Sequence, residues 1–284
     1  MFGKLLKNDI KAQWHSVSTI FLSIFIIAGF AELLVLYSIK DVFNIWNDKK
    51  LIFVAIGGIV VCLAMFFACI VILITVGLMF SKTTFGKAGY LTLTLPVETN
   101  SLIWSKTISG LVWTYITYML FFGSFFLWIY QVGECMGGDL QDLADQLFML
   151  LLGQSTQTII SLAIYYLVWV AIAMFLVVQC MYLGITCAHT SKFSKLGPIA
   201  TVLIFFGSFG VIVGLTLIIG KIIPFGMIVH DDIITLSTNV TKAQQELYRH
   251  GSKFVFSGPL FMLLSSILLS SPITYLTKHK SNIK

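Results

Sequence analysis

The stretch LIFVAIGGIVVCLAMFFACIVILITVGLMF, Leu51 to Phe80, decides the fold. It holds 30 residues with no charged side chain, and roughly 20 apolar residues suffice to cross about 30 Å of hydrocarbon. As a helix it would be roughly 45 Å long at 1.5 Å per residue, so it must tilt or project beyond a bilayer. Five further apolar runs flank it, at about 17–39, 104–130, 155–187, 198–223 and 254–276. The alternation of a membrane β-barrel is absent.

Composition agrees. Of the 284 residues 58% are hydrophobic and 11% charged, against about 45–50% and about 25% in soluble domains. The expectation is an all-α polytopic membrane protein: one transmembrane domain over 1–284 with six membrane helices and no separate soluble catalytic domain. The net charge of +6 comes from basic residues gathered at helix ends, which suits headgroup contacts and topology rather than nucleic acid.

With the N-terminus in the cytoplasm, the inside segments hold 11 basic residues and the outside segments 7. The positive-inside rule then puts both termini in the cytoplasm of a cell membrane. Three segments outside the runs have character of their own. In residues 1–15, Phe2, Leu6, Ile10 and Trp14 recur every four residues, opposite Lys4, Lys7, Asn8, Lys11 and His15. That segregation predicts an interfacial amphipathic helix, set against a plain extension of the first membrane helix. Segment 81–100 falls on the cytoplasmic side and is too apolar for an idle loop. Segment 222–253 falls outside: Pro224 and Gly226 break the fifth run, Met227-Ile228-Val229 and Ile233-Ile234 follow, and Thr241 with Gln244 has the form of a capping box closed by Gly251. The expectation there is an outer re-entrant segment.

Chemistry-bearing motifs are few. The nearest approach to a P-loop, Gly214 to Gly220-Lys221-Ile222, has the wrong spacing and lacks the final Ser or Thr. No zinc-protease helix, nucleophile elbow or Cys pair at metal spacing occurs. No metal site and no catalytic residues are expected. The five histidines lie at helix ends or in loops, and His230-Asp231-Asp232 reads as a solvated turn. Glu32 is the only acidic residue inside an apolar run. It is either a proton site or cargo contact, or a carboxylate that reaches the interface or Lys40. Gln179 either lines a path or bonds a neighbouring helix. Gly207, Gly210 and Gly214 give the fifth helix a small-residue face. The third helix is rich in aromatic residues from Trp113 to Tyr130, as an interfacial belt would be.

The string Gly89-Tyr90-Leu91-Thr92-Leu93-Thr94-Leu95-Pro96-Val97, followed by Leu102 and Ser105-Lys106, resembles the cytoplasmic segment of type-2 ABC exporter permeases of Firmicutes. The resemblance implies a half-transporter that pairs with a second permease copy or a relative. It implies docking of an ABC ATPase subunit, the carrier of ATP and Mg, through Phe85, Gly89, Tyr90, Leu91, Leu93, Leu95 and Pro96. It also implies a dimer interface or path formed by the first and fifth helices, with Glu32, Gln179 and the three glycines as candidates, and export of an amphipathic substrate such as a peptide. Ala88 stands where many relatives carry an acid, so docking would rest on the apolar face around Tyr90, Leu91 and Leu93. The alternative function is a proton-coupled secondary transporter using Glu32. An intramembrane enzyme would need paired polar groups at membrane depth, which the runs lack.

Overall fold

The structure is a computed structural model that describes residues 2–39, 47–86, 98–136, 156–190, 193, 196–230, 233–238, 240 and 252–279. Six long helices appear among the described residues: α1 (Phe2–Ile39), α2 (Asn47–Phe85), α3 (Thr99–Met136), α4 (Thr156–Ala188), α5 (Pro198–Ile222) and α6 (Ser257–His279). Five of them, α2 to α6, contain a described span long and apolar enough to cross a membrane. The chain is a multi-pass membrane protein.

Two expectations are corrected. The N-terminal 15 residues are not a separate interfacial helix: α1 is continuous over 38 residues, about 57 Å at 1.5 Å per residue. Nothing from Gln13 to Val17 breaks a helix, and the hydroxyls of Ser18 and Thr19 both donate to the His15 carbonyl across that join. The segment after α5 carries short strands, which the all-helical expectation did not include, although the described chain is otherwise mostly helix. Strands β1 (Gly226–His230), β2 (Ile233–Ser237) and β3 (Ser252–Val255) form an antiparallel sheet in the order β2-β1-β3. Ile and Val on either side of the short 231–232 connection suit a pleated, half-buried surface, and β1 pairs with β2 from Gly226↔Ser237 to His230↔Ile233. Gly226 is required where β1 meets β3, because a Cβ there would fall 1.8 Å from the Phe254 carbonyl oxygen. The capping box at Thr241 lies outside the described residues.

The chain divides into two compact units. In the unit formed by Lys11–Thr75 and Val112–Leu151, Val61, Met65 and Ala68 make a buried cluster with Ile20 and Phe121. Trp113 is buried there against Trp14 and Phe21, so this member of the aromatic row is core rather than lipid-facing.

The other unit comprises Met1–Ile10, Val76–Leu111 and Leu152–Lys284. Here α4 packs on both α5 and α6 around Leu176, Cys180 and Met262. A Cβ at Gly184 would lie 2.7 Å from the Thr201 carbonyl oxygen, so α4 and α5 touch backbone to backbone. A run of i to i+3 hydrogen bonds from Thr190 to Ile199 carries the chain between them. Gly197 lies within its last turn with a left-handed φ of 52°, and Pro198 opens α5. At the far end of α4 the Tyr165 hydroxyl donates to the Val255 carbonyl (2.8 Å) and its ring meets Phe254 and Phe256, which fastens the sheet to the helices.

Candidate functional site

The connection between α2 and α3 carries the string singled out by sequence, and its two ends meet on a polar cluster. Lys106, two turns into α3, is 6% exposed at its side chain. An ammonium at that depth needs partners. Its Nζ donates to Thr83 Oγ1 in the last turn of α2 (2.8 Å) and lies 3.4 Å from Asp9 Oδ1 of α1. Thr83 is oriented to accept because its own hydroxyl donates to the Met79 carbonyl (2.7 Å). Asp9 Oδ2 accepts the Ser105 hydroxyl at 2.6 Å, a length typical of a charge-assisted bond. One carboxylate thus binds adjacent side chains of α3, and one lysine bridges α1, α2 and α3.

An aromatic layer continues the cluster. Phe80 of α2 stacks on Tyr182 of α4 with ring centres 3.9 Å apart and 10° between planes. The buried Tyr182 hydroxyl donates to the Lys106 backbone carbonyl (3.1 Å). Phe85 meets Phe80 edge-on and stacks on His189 (4.4 Å, 13°), and His189 Nδ1 lies 2.8 Å from the Ile185 carbonyl oxygen. Gly110 allows this closeness: a Cβ there would sit 2.8 Å from both Tyr182 Oη and Val76 Cγ1. Four helices are therefore joined by hydrogen bonds and ring stacks within one compact unit.

Among the residues predicted from sequence, Phe85 lies here, 3% exposed. It is a packing residue at the base of the connection, not a surface one. Gly89, Tyr90, Leu91, Leu93, Leu95 and Pro96, with Ala88, lie outside the described residues. Glu32 belongs to α1, and its side chain lies outside what is described. Gln179 is fully buried on α4, and neither its amide oxygen nor its nitrogen has a hydrogen-bond partner among the described residues. Gly207, Gly210 and Gly214 have nothing within 4 Å of a notional Cβ among the described residues. Sequence reasoning missed Asp9, Thr83, Tyr182 and His189. A signal existed for Asp9: it is the only acid before Glu32, and Lys106 sits where an apolar run would need a counter-charge.

No family model, curated protein or solved structure matches the chain.

Proposed function

We propose that the chain is the permease subunit of an ATP-binding-cassette exporter. It works as a homodimer or with a related permease, and a separate ABC ATPase supplies ATP and Mg. The ATPase docks at residues 81–100 on the cytoplasmic face, and the cargo is an amphipathic molecule, a peptide by preference, moved outward. Both termini then face the cytoplasm and the sheet faces outward.

The observation that carries the reading is the Lys106 bridge between the two helices that the Gly89–Val97 string connects. A docking element works as a lever only if a push on it moves helices. Here the ends of α2 and α3 are bound to each other by Lys106 and Thr83, to α1 by Asp9 and to α4 by the Tyr182 hydroxyl. A push on the connection would therefore be shared among four helices.

The test is purification of the tagged chain from its native membranes. An ATP-hydrolysing subunit should co-purify in equal amount, with activity that falls when Tyr90→Asp and Leu93→Asp are introduced. Absence of such a subunit, or full activity in both variants, would refute docking. Proton-driven flux in ATPase-free liposomes, lost in Glu32→Gln, would instead establish the secondary-transporter reading.

A further inference from the structure

The buried faces of α4 and α6 meet along a seam of hydroxyls. The two helices run in the same direction: Tyr165 of α4 reaches Val255 just before α6, and Leu176 and Cys180 pack with Met262 further along both. On α4, Gln179, Thr186 and Thr190 share one face by their spacing, and all three are buried. Ile172, two turns before Gln179 on that face, packs on the cluster that contains Met262, so this is the face that meets α6. On α6, Ser266 and Ser270 follow Met262 one turn at a time and are buried as it is. Gln179 stands at the inner end of the seam, about 14 Å before α4 ends at Ala188. All these residues belong to one compact unit.

The hydrogen bonding decides what the seam can hold. Each hydroxyl directs its proton to its own helix: Thr186 to the Tyr182 carbonyl, Thr190 to that of Cys187, Ser266 to that of Met262 and Ser270 to that of Ile267, all at 2.6–2.7 Å. Their oxygens can still accept. Gln179, 0% exposed, brings two N–H donors and an amide oxygen that have no partner among the described residues. A buried amide is costly until something bonds it. The occupant must therefore donate to oxygens and accept from an N–H. A hydrocarbon chain does neither. A metal cation would enter without a counter-charge, because no carboxylate belongs to the seam among the described residues. Water does both and needs two to four polar partners, of which the Gln179 amide and the neighbouring serine oxygen supply enough.

We propose that the α4–α6 seam binds ordered water at Gln179, held by its amide and by the Ser266 oxygen. Ser270, Thr186 and Thr190 continue the polar track from that site toward the C-terminal ends of the two helices. Water thus reaches well inside a segment long and apolar enough to span a membrane, and α4 and α6 are joined there through exchangeable bonds as well as by packing. The inference rests on the buried amide and the helix faces, and stands independently of the transport reading.

X-ray radiolysis of the intact protein in nanodiscs tests this, because water held inside a protein yields hydroxyl radicals that oxidise the side chains around it. Met262 and Met65 form a matched pair: both are 6% exposed, but Met65 sits in the apolar cluster of Val61 and Ala68. Oxidation of Met262, read by mass spectrometry of its peptide, should exceed that of Met65 several-fold, and the fully buried Cys180 should be modified with it. In Gln179→Leu the Met262 rate should fall to that of Met65, while the exposed Trp14 keeps its wild-type rate. Equal Met262 and Met65 rates in the wild type would overturn the proposal. So would a Gln179→Leu variant that keeps fast Met262 oxidation. The wild-type comparison needs no variant, so it stands even if Gln179→Leu fails to fold.

Discussion

Removing the charge of Asp9 should harm the protein more than removing the charge of Lys106, although each change breaks the same pair. Asp9 and Lys106 are 3.4 Å apart, a gross attraction of about 5 kcal/mol at an effective dielectric of about 20. Desolvation cancels much of it. The asymmetry comes from exposure: the Lys106 side chain is 6% exposed and that of Asp9 19%. In Asp9→Asn the lysine stays a buried cation with Thr83 as its neutral partner, and the cost should approach the roughly 3–5 kcal/mol seen when a buried pair loses one member. In Lys106→Met the carboxylate keeps the Ser105 bond and some water, so the cost should be about 1–2 kcal/mol, near that of one hydrogen bond to a charged group. The double variant should be no worse than Asp9→Asn alone, with an interaction energy of about 1–3 kcal/mol. Equilibrium unfolding in mixed nonionic detergent and SDS micelles, followed by circular dichroism, measures all four proteins. Single effects that add within about 0.5 kcal/mol, or a Lys106→Met variant that is the weaker of the two, would refute the reasoning.

Other substitutions test the close approaches. Gly110→Val forces atoms into the space held by Tyr182 Oη and Val76 Cγ1 and should cost about 1–3 kcal/mol by overpacking, read in the same unfolding transition. Gly184→Val must push α4 off the Thr201 carbonyl, and backbone cannot rotate away as a side chain can. Its cost should be at least as large, and a variant as stable as wild type would contradict the α4–α5 contact. Tyr165→Phe leaves the Val255 carbonyl without its side-chain donor. It should cost about 1 kcal/mol and speed hydrogen exchange of the β3 amides while leaving that of α4 unchanged.

Much of the helical frame was legible because apolar run length is a strong signal. The run at 198–223 became Pro198–Ile222 and the run at 155–187 became Thr156–Ala188. The sheet was not legible for the converse reason. Five residues such as Gly226–His230 carry too few periods to separate a strand from other short apolar structure, and in a chain of membrane helices a semi-apolar stretch reads as a re-entrant segment. The joining of 1–15 to the first membrane helix was undecidable from amphipathicity, which reports what each face touches and not whether the axis continues. Ser105-Lys106 stood out through the string it follows. Its partners did not, because Asp9 lies 96 and 97 residues away and Thr83 23 away, and only the folded bundle brings them near. Gln179 was marked as polar at membrane depth, but sequence could not tell that its amide would be buried with no partner among the described residues.

The bond from Lys106 to Thr83 also makes the stretch between them a closed loop anchored at a non-covalent base. Closure entropy grows slowly with length, by about 0.6 kcal/mol for each doubling, and here the two ends are fixed by the helices whatever lies between them. Residues 87–97 are therefore replaceable in a way the base is not. A flexible Gly-Ser stretch of equal length in their place should leave the unfolding transition of the bundle near that of wild type. Stability of the bundle and the identity of residues 87–97 are then separable, so that stretch can be exchanged without redesigning α2 and α3.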